Sequence, residues 1–402
     1  MRSNTALPGL RHGIRINLFL TVTVCLVLAP QYLPAQTYSV LHSFEGPPDG
    51  KYPDSVLTKD AKGNVYGTTF WGGGSYGGTV FRLDSNGTES ILYNFLAGYG
   101  AHPNGDLIRD EEGNLYGATT GGGDYGMGAV FRLDKKGNEN VLYSFKGTRG
   151  DGAEPASGPI RDADGNLYGT TTGGGRSKNG TVYKIDRTGR ETILHRFTGG
   201  WDGSIPYGSL ARDDQGNLYG TTGYGGNGGG CDCGGVFKIN TAGRLTVLYG
   251  FTGKGGDGNV AYAGVILDET GNLYGTTLYG GNLQCGYPSP GGCGIVYKVD
   301  PAGKETVLYA FSGTDGEYPA GGVVHDVAGN LYGTTLAGGD YDYGTVFKLD
   351  STGKLAVLHS FNVSPDGNTP WAGVFLDPSG ALYGTTEQGG DHSWGIVYEL
   401  VP

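Results

Sequence analysis

Gly165-Asn166-Leu167-Tyr168-Gly169-Thr170-Thr171 is one of seven near-identical phrases in this 402-residue chain. The copies begin at Gly63, Gly113, Gly165, Gly216, Gly271, Gly329 and Gly380, spaced 50, 52, 51, 55, 58 and 51 residues apart. A repeat of about fifty residues is a unit that cannot bury its own apolar faces and must pack on its neighbours. Around the third copy, Ser157 to Arg161 reads as a short strand, Asp162 to Gly165 as a turn and Asn166 to Thr171 as the returning strand. A Gly-rich loop leads to a third strand, Gly180 to Ile185. Asp186 to Gly189 turns again, and Glu191 to Phe197 runs out. Val, Ile, Thr and aromatics fill the strands, and Gly, Asp and Pro mark their ends. Four antiparallel strands in each of seven repeats predict an all-β, seven-bladed β-propeller.

Both turns share the pattern Asp-x-x-Gly, in which Asp accepts backbone hydrogen bonds and Gly supplies a positive φ. The first occurs at Asp60, Asp110, Asp162, Asp213, Asp268, Asp326 and Asp377, and one such turn offers too few oxygens for calcium. Five positions earlier stand Ser55, Gly105, Ser157, Gly208, Ala263, Gly321 and Ala372. All are small, as a crowded axial wall requires. Tyr66, Tyr116, Tyr168, Tyr219, Tyr274, Tyr332 and Tyr383 recur on the second strand and read as core. His42, His195 and His359 alternate with Tyr on the outer strand and read as aromatic filler.

The phase of the repeat predicts how the ring closes. An orphan outer strand, Tyr38 to Phe44, opens the propeller, and the last repeat stops after its third strand, Gly395 to Leu400. The first must complete the last blade and leave no open edge.

Arg2, Arg11 and Arg15 precede an apolar stretch, Ile16 to Ala29, and Pro34-Ala35-Gln36 offers a small residue for cleavage. This predicts a signal peptide over 1–35, too short for a membrane span, before a single propeller domain over 37–402. Without the leader the chain carries 25 basic and 39 acidic side chains, a net charge of −14, which argues against nucleic acid. Export favours oxidation, so Cys285 and Cys293 are expected to staple one loop. Cys231 and Cys233 either close a very tight ring or bridge to that neighbouring loop; a four-thiolate zinc site over both loops is the less favoured alternative.

The pattern Gly-Asn-Leu-Tyr-Gly-Thr-Thr, then Gly-Gly, then Gly-Thr-Val-Phe-Lys-Leu, then Val-Leu-Tyr-Ser-Phe resembles the GloVer (Gloeobacter–Verrucomicrobia type) tandem repeat from Thr37 onward. The resemblance implies an exported bacterial propeller and brings no catalytic residues with it. Family members often carry a C-terminal sorting anchor, which is not expected after Pro402.

The two Asp-x-x-Gly hairpins share one face of the disc, so the long variable loops share the other, where recognition is expected. There Asp49, Asp151, Asp202, Asp257, Asp315 and Asp366 each precede Gly, and Pro53, Pro103, Pro155, Pro206, Pro319 and Pro370 recur, which reads as a repeated turn aiming the chain at the axis. Tyr99 and Ala261 are the exceptions. Trp71, Trp201, Trp371 and Trp394 map to loops of this face. So do Tyr52, Tyr76, Tyr99, Tyr125, Tyr224, Tyr279, Tyr287, Tyr318, Tyr341 and Tyr343. Trp71, Trp201, Trp371, Trp394, Tyr52, Tyr318, Tyr341, Tyr343, Asp340 and His392 are the candidate ligand-binding residues. Aromatics beside Asp and Asn suit sugars as well as peptides or envelope proteins. The expectation is a secreted, periplasmic or surface-held monomeric binding propeller with no cofactor, metal or catalytic set. A structural repeat protein, or a hydrolase or lyase at the channel mouth, is the alternative.

Overall fold

A computed structural model describes Met1 and residues 36–96, 100–148, 150–226, 230–285 and 291–402. The expected leader (Met1 apart), Tyr99 and Tyr287 lie outside the described residues. Among these residues there is no helix, and none is therefore long and apolar enough to cross a membrane. Seven antiparallel sheets form the blades. Blade 3 runs Ile160–Arg161, Leu167–Thr171, Thr181–Ile185 and Glu191–Arg196, and the others repeat it. The innermost ladder is two residues long, shorter than the sequence predicts. Around it the axial carbonyls of five blades accept from a threonine of the preceding blade.

Blade 7 takes its outer strand from the other end of the chain. Thr37–Ser43 pairs antiparallel with Ile396–Val401, in the register Tyr38↔Leu400 and Val40↔Tyr398. Leu382–Thr386 and Phe375–Leu376 complete that sheet. Phe44 and Val397 share a core cluster with Leu57, Val65 and Phe81 of blade 1, so apolar packing continues across the seam.

The repeated phrase is explained by one carboxylate. In blade 3, Asp162 Oδ1 accepts from the Asn166 N–H at 2.8 Å, while Oδ2 takes the Asn166 amide at 2.8 Å and the Tyr168 hydroxyl at 2.9 Å. The phrase needs Asn and Tyr because both end on this Asp. The last copy reads Gly-Ala-Leu-Tyr, and there the Lys59 ammonium of blade 1 fills the place, 2.9 Å from Asp377 Oδ2.

A second device joins each blade to the one before. Tyr52, His102, Glu154, Ile205, Val260, Tyr318 and Thr369 all have φ between 53° and 63°, in the left-handed region. Each precedes the recurrent Pro, or Ala261 in blade 5. Glu154 donates its N–H to the Met127 carbonyl of the previous blade at 2.9 Å and accepts from the Thr172 N–H of its own at 3.1 Å. Ile205, Val260, Tyr318 and Thr369 do the same with Asn179, Cys233, Cys293 and Tyr343. The Pro that follows presses on the Gly opening the previous blade's third strand. At Gly180 (φ 93°) an added Cβ would collide with the Thr171 carbonyl and lie 2.7 Å from Pro206 Cδ.

The loop aspartates act as turn caps, as expected: Asp151 accepts from the Lys146 N–H at 2.8 Å and the Gly152 N–H at 2.7 Å. The outer-strand histidines are more than filler. His195 and His359 pair with Asp202 and Asp366 at 3.0 and 2.8 Å, where other blades use Tyr. Glutamates also meet this row. Burial, with Asp151 beside it, pushes Glu191 up to about 8, and burial with Asp257 pushes Glu305 up to about 7, both from 4.5.

Two outcomes follow. Gly180→Ala combines a left-handed φ with a backbone collision and should cost at least about 3 kcal/mol in urea denaturation; a loss below about 1 kcal/mol contradicts the blade contact. For pH, the folded chain keeps protons on Glu191 and Glu305 that the unfolded chain releases near 4.5, so stability falls as pH rises from there toward 8. At the acid end, burial works against ionisation of Asp268, but Asn272, Thr270 and Tyr274 hold it at about 2. That contribution is present above 3.8 and lost as pH falls toward 2. Melting temperature should therefore peak near about pH 5; a steady rise from pH 5 to 8.5 contradicts the assignment.

Candidate functional site

Small residues bring all seven blades to the axis. Gly105, Ser157, Gly208, Ala263, Gly321 and Ala372 line a channel of about 110 Å³, as the sequence predicts. Ser55 departs from the row; it is fully buried, and its Oγ accepts from the Thr68 N–H at 3.0 Å.

A collar of hydroxyls surrounds the channel. Thr170, Thr221, Thr276, Thr334 and Thr385 donate to the axial carbonyls of Gly208, Ala263, Gly321, Ala372 and Ser55 in the next blade, at 2.7 to 3.3 Å. Blade 2 carries Ala118 at this position, and in blade 1 the buried Thr68 Oγ1 has no partner. The two gaps are adjacent, in the blades whose axial segments supply Asp54 and Asp106. Asp106 crosses the axis: Oδ1 accepts from the Val56 N–H of blade 1, and Oδ2 from the Ser209 hydroxyl of blade 4, both at 3.1 Å.

The residue before each small axial position rings the mouth on the loop face. Going round, these are Asp54, Asn104, Ala156, Tyr207, Tyr262, Ala320 and Trp371. Three aromatics stand on one side and two polar side chains on the other. The Tyr207 and Tyr262 rings lie 4.5 Å apart, tilted by 45°, and Trp371 meets Tyr262 edge-on at 6.4 Å. Trp371 is 37% exposed and lines the channel mouth. Asp54 and Asp106 are ringed by protein atoms yet keep one side on the channel. Burial, with Glu387 and Asp106 close by, holds Asp54 well above the usual carboxylate range. Burial also raises Asp106, against the hydrogen bonds it accepts, and raises Glu387. Burial thus favours the protonated form of each of these neighbouring carboxyls, the form in which a carboxyl can donate.

The ten candidate residues from the sequence do not converge. Trp371 alone reaches the mouth. Trp394 packs on Tyr52 (5.5 Å) beneath the Lys51 ammonium (4.6 Å), at the junction of blades 7 and 1. Tyr318 meets Tyr279 at 5.5 Å. Tyr341 and Asp340 border a rim hollow with His359, Tyr343 stands beside them in sequence, and Trp201 and His392 are exposed. Nor are all four tryptophans on loops: Trp71 ends the strand Val65–Gly72, against His102 at 4.0 Å. Tyr52 and Tyr279 are on short strands as well, because the loop-face segments pair with strand-two ends that the sequence reads as loop, and Tyr76 begins the long third strand Tyr76–Leu83, where it pairs with Leu96.

Tyr207, Tyr262, Asp54, Asn104 and Asp106 were not foreseen. A signal existed: all flank the small axial residue, whose neighbours must face the channel. Larger clefts, of about 580 and 710 Å³, lie among the turns of the hairpin face. The turn aspartates there are already engaged, as Asp213 is by Asn217 and Tyr219. Both cysteine pairs are at bonding distance inside their own loops, with Cα separations of 5.3 and 5.4 Å.

Three comparisons bear on this architecture. The extracellular domain of the two-component system BT4673 from B. thetaiotaomicron aligns with TM-score 0.59 and 11% identity, over 90% of this chain and 39% of that one. That of BT3049 from the same organism gives 0.57 and 14%, over 91% and 41%. The chain thus spans about two fifths of those domains, and the likeness is one of fold. A gluconolactonase from Xanthomonas campestris aligns more loosely, with TM-score 0.48 and 13% identity over 92% and 90%. No curated protein sequence matches. The Gloeobacter/Verrucomicrobia repeat matches residues 30–158, 148–287 and 284–402, and the chain belongs to that repeat family.

Proposed function

We propose that this is an exported binding propeller that takes a saccharide at the loop-face mouth of its channel. The observation that carries the reading is the aromatic arc of Tyr207, Tyr262 and Trp371 facing Asp54, Asn104 and Asp106. Sugar rings offer C–H faces to aromatics and hydroxyls to carboxylates and amides, so an arc of each on opposite walls suits them. At about 110 Å³ the cavity is smaller than pockets that enclose a whole ligand, roughly 300 Å³ or more, which favours capture of a terminal residue of a longer glycan. Export is supported by the basic and apolar leader and by the paired cysteines.

A second reading rests on the raised carboxyls. Burial shifts Asp54, Asp106 and Glu387 toward the protonated form, and clustered carboxyls of this kind are what general acid–base chemistry on a bound sugar or lactone draws on. Turnover of a ligand found by the screen below decides between the two.

A glycan array, followed by titration of its hits monitored by tryptophan fluorescence, tests the proposal. Trp371→Ala and Tyr262→Ala should each weaken binding about tenfold, the loss of about 1.4 kcal/mol of ring contact. Trp201→Ala, on the exposed rim, should leave affinity unchanged. Loss of binding in the Trp201 variant with none in the Trp371 variant moves the site away from the axis.

A further inference from the structure

The seven blade junctions are near-copies, so each serves as a control for the others. A junction brings together the ring of an outer strand, the aspartate of the following loop and the first residue of the next outer strand. These are Tyr143, Asp151 and Glu191 between blades 2 and 3, and Tyr249, Asp257 and Glu305 between blades 4 and 5. His195 and Asp202 face Leu245, and His359 and Asp366 face Tyr38. At the seam the three are His42, Asp49 and Glu89. Among the described junctions, only there do an imidazole and two carboxylates coincide.

The geometry differs with the composition. His195 and His359 hydrogen-bond their aspartates at 3.0 and 2.8 Å, and Tyr38 adds its own bond to Asp366 at 2.5 Å. At the seam, His42 Nε2 stands 3.4 Å from Asp49 Oδ2. His42 Nε2 and Glu89 Oε1 are both sealed from solvent and have no hydrogen-bond partner; Glu191 and Glu305 share the unpaired oxygen at their junctions, so the unpaired imidazole nitrogen is what sets the seam apart. One ligand atom from each of the three residues lies within 4.8 Å of the other two. Two ligands held at about 2.0–2.1 Å by a tetrahedral ion sit about 3.4 Å apart. The His–Asp spacing at the seam matches that of two ligands on one ion and is longer than the 3.0 and 2.8 Å hydrogen bonds of the equivalent pairs. Imidazole with carboxylates suits a borderline divalent ion such as zinc.

We propose that His42, Asp49 and Glu89 bind a divalent transition-metal ion that fastens the ring at its seam. His42 lies on the strand Thr37–Ser43, which completes blade 7, and Glu89 begins the outer strand of blade 1. An ion held by both would tie the closing strand to the next blade, and its binding would add to the stability of the closed ring. Asp49 remains competent while capping its turn, since the Glu45 and Gly50 N–H groups leave lone pairs free on both oxygens.

The test uses the purified full chain without a polyhistidine tag, stripped with chelator and titrated with zinc chloride alone. One equivalent should bind and raise the melting temperature by several degrees, and cobalt should give a visible d–d spectrum. His42→Gln and Glu89→Gln should each weaken zinc binding at least about 100-fold, since even outer-shell partners cost about 10–100-fold, and should abolish both the temperature shift and the cobalt bands. His195→Gln and His359→Gln, which disturb equivalent pairs elsewhere, should leave all three readouts intact. Circular dichroism of each variant establishes that it has folded. Failure of the folded wild type to bind zinc overturns the proposal, leaving a proton shared between Glu89 and Asp49. Zinc binding unchanged in a folded Glu89→Gln variant overturns it equally.

Discussion

The backbone link between neighbouring blades is the constraint on which the rest of this structure depends. In each repeat one residue is held left-handed just before the axial segment; in six of the seven its N–H donates across the junction, Tyr52 to Trp394 at the seam among them, and in five of these its C=O also accepts from the loop of its own blade. For Ile205, Val260 and Thr369 that conformation is unfavourable, at about 1–3 kcal/mol each. Two backbone hydrogen bonds return a similar amount, and leaving such groups unpaired when buried costs about 1–3 kcal/mol apiece. The conformation therefore persists because its neighbours on both sides require it. It also turns the chain toward the axis, which fixes where the next residues fall.

What falls there is the channel mouth. The residue after each Pro or Ala261 is delivered to the same ring, so its identity can vary without disturbing the blades. Ala156 and Ala320 leave space, Tyr207, Tyr262 and Trp371 build a wall, and Asp54 and Asn104 face it. The axial threonine collar holds the inner segments together, and it lapses only beside Asp54 and Asp106. Regular scaffold and irregular mouth thus arise from adjacent positions of one repeat.

Much of this was legible in the sequence, for reasons that differ by residue. The Asp-x-x-Gly turns, the tyrosine row and the small axial row repeat in chemistry as well as position, so their roles follow from physics applied once. The seam was legible because a strand without a blade and a blade without a strand stood at opposite ends. The left-handed residues were not, since Tyr, His, Glu, Ile, Val and Thr share no side-chain property that favours positive φ. The mouth was missed because Tyr207 and Tyr262 sit beside the axial row, whereas the exposed aromatics that drew attention scatter over the rim. Trp394 shows the difference, packed between Tyr52 and Lys51 and oriented by the seam.

The ring is closed by Thr37–Ser43 lying beside Ile396–Val401, and both the seam and the channel mouth depend on that closure. Amide hydrogen exchange of the intact chain, read peptide by peptide, measures this directly. The account predicts that the paired amides of residues 37–43 exchange as slowly as those of Glu191–Arg196, an outer strand inside the ring, and open with the whole domain. Exchange of 37–43 at the rate of an unstructured peptide, while the other outer strands stay protected, would contradict it.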